Sequence, residues 1–324
     1  MNLYVWDGVK TAVPVTATYT ITKTNFESST GNDRINIGRL VNDYIDFMPV
    51  ISATTETVDA DNQVWCKTEI IYTTADPSDD GVVQEELTQL VLKGYGRGNE
   101  GENAQPSSDG ILIEGDIHRI ARSSTVSIPL LVDSAISGTV ISYPDSEVNY
   151  TISESIPTES GEMVQVLNIV APANDEYIEI TIGTRVITLI IKEEYKYTPV
   201  DIYFLNKDGG QQSITFFKER KDSMTVTREN YESIQGQPSA GYHQFVDFNV
   251  NGKTTFTLTS GFIPESQNEA IRELMLSSRV YLYDSGFVPL NVVKNSIQYQ
   301  TRLNERLISY DIEFGYSFSE VNNI

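Results

Sequence analysis

The chain is poor in the residues that carry most enzyme and metal chemistry. Among 324 residues there are one cysteine and two histidines. A single thiol, Cys66, excludes an intrachain disulfide and a thiolate zinc site, since both need further cysteines. It sits in a strand-like run, 64–68, where a small buried apolar side chain is expected. His118 and His243 are each flanked by strand-like sequence, and neither has a partner at ligand or relay spacing. No apolar run approaches the roughly 20 residues of a membrane helix. Residues 1–7 contain no basic segment leading into an apolar stretch, which predicts folding in a cytoplasm without a secretory leader.

Positive charge is also scarce. There are 23 Lys/Arg against 45 Asp/Glu, a formal net charge of −22. The excess is uneven: residues 1–195 carry 11 basic against 30 acidic side chains, a balance of −19, and residues 196–324 carry 12 against 15, a balance of −3. Such a surface lacks the cations that neutralise a phosphate backbone, so nucleic-acid affinity is not expected. Solubility is one reading of the charge; a surface that repels DNA or meets a basic partner is the other.

What is present is β-forming sequence rich in Thr, Tyr, Ile and Val. Val13, Val15, Ala17, Tyr19 and Ile21 alternate with polar residues and predict a first strand. Ile37, Leu40, Val41, Tyr44, Ile45 and Met48 fall three and four apart and predict a short helix, stopped by Pro49. Residues 177–182 and 185–191 flank Gly183-Thr184, a hairpin with Gly first in its turn. The second of these strands is apolar at nearly every position, which predicts burial on both faces. Residues 245–250 and 253–258 flank Asn251-Gly252, the strongest short hairpin signal. Pro264 opens a second helix with Ala270, Ile271, Leu274 and Met275 as its apolar stripe. The alternation of Ile308, Tyr310, Ile312, Phe314, Tyr316 and Phe318 predicts a long last strand central to a core. The expected fold is mainly β: two β-sandwich or barrel-like domains, 1–195 and 196–324. Each carries one short helix, near 37–48 and near 265–278.

Chemical motifs are missing. The glycine-rich stretch with Gly94, Gly96, Arg97, Gly98 and Gly101 lacks the Gly-Lys-Ser/Thr end of a phosphate cradle and carries Glu100 and Glu102. It reads as a mobile loop that orders against a neighbour. Asp59-Ala60-Asp61-Asn62 begins like a calcium loop, but Val64 stands at the sixth position and no glutamate at the twelfth. No catalytic residue, cofactor or metal is predicted. The one basic cluster, Lys218, Arg220, Lys221 and then Arg228, is a solvated strand end or a docking patch for the acidic half of another copy.

Three stretches resemble structural proteins of phages that infect Bacteroidota, including crAss-like phages. The first runs from Tyr19-Thr20-Ile21-Thr22-Lys23 to Asn36-Ile37-Gly38-Arg39-Leu40-Val41-Asn42-Asp43-Tyr44-Ile45. It departs from that pattern at Gly38 and Asn42, where Ser and Arg would stand. The second is Tyr197-Thr198-Pro199 with Ile202-Tyr203-Phe204-Leu205-Asn206-Lys207-Asp208-Gly209-Gly210. The third joins Thr259-Ser260-Gly261-Phe262, Glu273-Leu274-Met275-Leu276-Ser277-Ser278, Val280-Tyr281-Leu282 and Leu307-Ile308-Ser309-Tyr310-Asp311-Ile312-Glu313-Phe314. Together they cover about a third of the chain, in shared order. The resemblance implies a virion tail or neck subunit assembled in the host cytoplasm. It implies a sixfold or twelvefold homo-oligomeric ring, with portal or other tail proteins as partners and DNA only passing through. The alternative from another class is a β-sandwich adhesin or carbohydrate-binding module on a fibre or cell surface.

Overall fold

The alternating β-branched and aromatic residues do form strands. The computed structural model describes residues 1–22, 35–60, 62–71, 83–95, 109–155, 162–233, 243–293 and 308–319. In chain order the elements are β1 (Asn2–Trp6), β2 (Tyr19–Thr20), α1 (Gly38–Asn42), β3 (Glu56–Asp59), β4 (Gln63–Ile71) and β5 (Val83–Leu92). Then come β6 (Ile117–Ala121), β7 (Thr125–Val132), β8 (Ile136–Tyr143), β9 (Glu147–Glu154), β10 (Met163–Val170), β11 (Tyr177–Ile182) and β12 (Arg185–Lys192). The rest are β13 (Val200–Leu205), β14 (Gln211–Phe216), β15 (Arg220–Glu232), β16 (Phe245–Thr259), α2 (Asn268–Leu276), β17 (Val280–Tyr283), β18 (Phe287–Val292) and β19 (Asp311–Tyr316).

Four sheets result, ordered β2-β1-β4-β5, β3-β10-β7, β6-β12-β11-β8-β9 and β14-β13-β17-β18-β19-β16-β15. Among the described residues every ladder is antiparallel except β6 with β12, and no sheet closes into a barrel. The expected mainly β, sandwich-like class is therefore observed, with one helix in each half of the chain.

Two large cores lie on either side of residue 195. In the first, Ile128, Leu130 and Leu167 from the three-stranded sheet meet Val140, Ile178, Ile180, Ile187 and Leu189 from the five-stranded sheet. In the second, Ile271 and Leu274 of α2 pack with Phe204, Phe216, Phe256 and Phe314 of the seven-stranded sheet. Each fully buried side chain of this size contributes roughly 2–3 kcal/mol. Cys66 is fully buried in a smaller cluster with Leu3, Val41 and Val64, and that burial pushes its thiol up to about 11. It is a packing residue, not a nucleophile.

Several elements differ from expectation. The first predicted strand shrinks to Tyr19–Thr20; Pro14 can donate no ladder bond there, and Val15 is fully exposed. The first helix ends at Asn42 instead of running to 48. It has no side-chain cap, and the chain leaves it so that Phe47 docks edge-on against Tyr281 at 5.9 Å, with the Tyr281 hydroxyl donating to Phe47 O at 2.8 Å. The β11–β12 hairpin forms as predicted, with Gly183 at φ +57°. However, β12 buries one face only: Ile187, Leu189 and Ile191 point inward while Val186 is exposed. The last strand is shorter than predicted, with its ladder at Asp311–Tyr316, yet it is central, lying between β18 and β16.

The largest difference is at Asn251-Gly252. It makes no turn; β16 runs straight through it as 15 residues paired with the 13 of β15. The conformational freedom of this stretch goes into a bulge instead. Asn249 and Val250 together oppose the single residue Arg228, and Asn249 takes φ +48°.

The two halves meet at a buried polar seam built around the turn between β13 and β14. Asn206 is 1 % exposed, donates to Leu112 O, and accepts from Gly210 N–H at 2.8 Å. The Gln211 amide donates to Val50 O at 2.9 Å and to Ser127 Oγ at 2.8 Å, and accepts from Val50 N–H at 2.7 Å. The Tyr203 hydroxyl donates to Thr125 O at 2.6 Å. Gly210 carries no side chain because a Cβ there would lie 2.4 Å from Pro129 Cγ. Pairing of such buried groups is what makes a polar seam tolerable.

Candidate interaction surface

The feature that stands out from this frame is the β15–β16 ribbon. At its base it is anchored: β16 residues Thr255–Thr259 pair with β19, and Phe256 and Leu258 are fully buried. The Arg220 guanidinium lies 4.4 Å from the Phe256 ring, reaches Asp222 Oδ1 at 2.7 Å and donates to the Tyr316 hydroxyl at 3.1 Å. Beyond Thr255, among the described residues, β16 pairs with no strand other than β15. Eight residue pairs and a bulge therefore project as a two-stranded arm roughly 30 Å long at the usual rise per residue.

Nothing on β15 is buried; all 13 side chains are exposed. Five large apolar groups of the arm stand in water: Met224, Val226, Tyr231, Phe245 and Phe248, each at least 41 % exposed. Tyr231 and Phe248 meet edge-to-face at 5.7 Å across the ladder. At the arm's base an aromatic series continues out of the core. Phe314, Phe256, Tyr316 and Phe318 follow one another with centroids 5.8, 5.4 and 5.2 Å apart, and Phe318 is exposed. An open groove of about 560 Å³ runs beside it, lined among others by Thr225, Thr227, Lys253, Tyr316 and Phe318. An isolated two-stranded ribbon is marginally stable in water, and an unprotected edge strand is a template for another strand.

The predicted basic cluster lies on and below this arm, and each member faces a carboxylate of the same chain. Lys218 Nζ is 2.5 Å from Glu194, Lys221 is 3.5 Å from Glu219, and Arg228 is 3.2 Å from Asp247. The Lys221 and Arg228 pairs are largely solvated, so they are worth a few tenths of a kcal/mol each and can exchange partners, whereas the Glu194 side chain is largely buried against Lys218. Gly94 is elsewhere, packed on the seam: a Cβ would lie 2.4 Å from Lys207 O, and the next residue, Tyr95, donates its N–H to that same oxygen at 2.8 Å. Its requirement is close backbone approach. Gly96, Arg97 and Gly98 lie outside the described residues, as does Asp61 of the calcium-like stretch. Asn62 of that stretch is buried and donates to Gly209 O.

One histidine lies on the five-stranded sheet and the other precedes a strand of the seven-stranded sheet. His118 on β6 is buried, with Nε2 at 3.0 Å from Gly115 O, and desolvation holds its imidazole below the usual range. His243 is exposed just before β16. Among the described residues no group of three or more His, Cys, Asp or Glu is arranged to hold a metal ion. No helix among them is long and apolar enough to cross a membrane.

Sequence reasoning misses the arm because Asn251-Gly252 carries so strong a turn signal. The signal that could have found it is the 13-residue stretch from Arg220 to Glu232, uninterrupted by Pro or Gly and without a core-forming face. In comparisons with family models, curated proteins and solved structures, nothing matches this chain.

Proposed function

We propose that the chain is a virion structural protein, a subunit of an oligomeric ring or hub in a short phage tail through which DNA passes. The observation that carries the assembly reading is the projecting arm: 13 consecutive exposed residues on one strand, with five large apolar side chains of the ribbon left in water. A free monomer gains nothing from such an element, whereas a neighbouring subunit can cover it. Two further features support the reading. The ordered resemblance to Bacteroidota phage structural proteins spans both halves of the chain. The concentration of −19 charges in residues 1–195 suits a wall past which DNA slides without adhering.

The mechanism is mechanical: β domains stack into a channel and hold the rings above and below it. Negative-stain electron microscopy of the purified full chain, with native mass spectrometry, tests this. Closed rings of six or twelve copies are expected. A chain that stays monomeric at every concentration and is missing from purified particles sinks the proposal. For the channel, the test is position: carboxylates of residues 1–195 mainly on the outer wall of the ring would show that part to be wrong.

A further inference from the structure

The outer edge of β15 is complementary to itself. It is the longest edge strand among the described sheets, at 13 residues against ten for β5 and eight for β9. It contains no Pro, and the extra residue of its bulge belongs to β16, so β15 itself stays regular. Ser233 N–H donates to Gln244 O at 2.7 Å. By strand alternation, odd-numbered residues of β15 therefore turn their backbone groups toward β16, and even-numbered residues turn theirs toward the open edge. An antiparallel twin strand can bond only where even residues face even residues, which restricts a twofold contact to a few registers.

Charge selects among these registers. With the twofold axis at Thr225, Lys221 faces Glu229 and Asp222 faces Arg228, each pair occurring twice. In the same register Met224 faces Val226, again twice, and Thr225 faces its own copy. Opposed residues share a sheet face, so two methionines and two valines that are exposed in the monomer form one apolar cluster. Moving the axis to Met224 sets Arg220 against Arg228. Moving it to Thr227 sets Asp222 against Glu232. Centring on Val226 avoids like charges but keeps only the pairing of Arg220 with Glu232.

We propose that two copies of this chain join through β15, antiparallel and centred on Thr225, forming a four-stranded sheet from two arms. On the order of ten main-chain hydrogen bonds form across that edge. The ion pairs that Lys221, Arg228 and Asp222 make within one chain are solvated and exchange for the pairs between chains. The contact is isologous: it makes pairs, and it neither requires nor closes a ring.

The test is a cysteine scan on the full chain, where Cys66 is buried and does not compete. Across a non-hydrogen-bonded antiparallel pair, Cα atoms lie about 4.5 Å apart, within disulfide reach. Thr225→Cys is expected to oxidise to a covalent dimer, while Thr227→Cys, which would face Ser223 of the second copy, forms no intermolecular disulfide. Circular dichroism checks that both remain folded. In parallel, sedimentation at low salt should show Lys221→Glu raising the dimer dissociation constant about tenfold or more, because it faces Glu229. Adding Glu229→Lys to it should restore the constant to within about threefold. A Thr225→Cys chain that stays monomeric on oxidation, or a double swap as weak as the single one, overturns the inference. Rings seen in the microscope without the Thr225 cross-link would keep the ring reading and overturn this one; a cross-linked dimer that forms no ring does the reverse.

Discussion

The β13–β14 hairpin and the β15–β16 hairpin follow one another in the chain and belong to one sheet, yet they have opposite fates. In the first, Ile202, Phe204 and Phe216 fill the second core while Asn206, Gln211 and Gln212 are at most 2 % exposed in the seam. In the second, no side chain of β15 is buried. The ladders are alike; what differs is what lies against them. The first hairpin has apolar residues on one face and polar groups that find partners on the other half of the chain. The second has Thr, Ser and charged residues over most of its length, and beyond its anchored base, where Phe256 and Leu258 are buried, five large apolar side chains stand exposed in the monomer. Stability is concentrated where the turn is enclosed, and availability for binding is concentrated where the ribbon is bare.

The contrast is broken most severely at the seam. Asn206→Ala leaves Leu112 O and Gly210 N–H without the side chain that satisfies them, both in a buried site. Each orphaned buried group costs about 1–3 kcal/mol, so a loss of about 3 kcal/mol is expected in urea unfolding. Gly210→Ala, which drives a Cβ onto Pro129, should cost about 2–3 kcal/mol in the same measurement. Both should lower the stability of the two halves together, because the seam joins them. Separate transitions in which only residues 196–324 respond would show that the seam does not couple the cores.

How much of this contrast is legible in the sequence follows from the physics of each hairpin. The turn and pairing of the β11–β12 hairpin are readable because the Gly-first turn and the alternation in its first strand act locally, whereas the apolar run in its second strand hides that one of its faces is left unburied. The mainly β class is readable for the same reason. The seam is not, since Asn206, Gly210 and Gln211 look like an ordinary solvated turn until Leu112, Pro129 and Val50 are brought against them from far along the chain. The arm is hidden by a conflict between local and non-local signals: Asn251-Gly252 favours a turn, but 12 ladder pairs to β15 outweigh it and the freedom of Asn249 is absorbed in a bulge. Of the candidate site, the basic residues are visible in the sequence and their carboxylate partners are not, because those partners are set by pairing across strands.

A smaller effect sharpens the seam side of the comparison. Asp201 on β13 accepts from the Thr215 hydroxyl at 2.5 Å, and burial pushes its carboxyl up to about 6 from an ordinary 3.8. The folded state therefore holds this proton more tightly than the unfolded chain does. The contribution of Asp201 to stability is full below about pH 4 and is lost as pH rises through about 6. Asp201→Asn removes that dependence. It should leave stability unchanged near pH 4 and raise it by about 2–3 kcal/mol at pH 8: the rise from 3.8 to about 6 corresponds to roughly 3 kcal/mol at about 1.4 kcal/mol per tenfold gain in proton affinity, and solvent at this half-buried side chain screens part of it. The readout is the difference between the two proteins across pH, which cancels the titration of the other carboxylates. A difference that is flat from pH 4 to pH 8 would falsify the assignment.

The smallest effect is expected on the arm, and its smallness is the point. Tyr231→Ser and Phe248→Ser remove an exposed aromatic contact from a ribbon that has no third layer, so monomer stability should move by no more than about 0.5 kcal/mol. Hydrogen exchange should agree: arm amides of residues 223–232 exchange fast in dilute protein, while those of β13 and β14 exchange only on global unfolding. If instead these substitutions destabilised the dilute monomer as much as Asn206→Ala does, the arm would be part of the folded core and its exposure would carry no message about partners. If they leave the monomer intact but abolish association at high concentration, the apolar groups that the fold fails to bury are the ones that assembly uses.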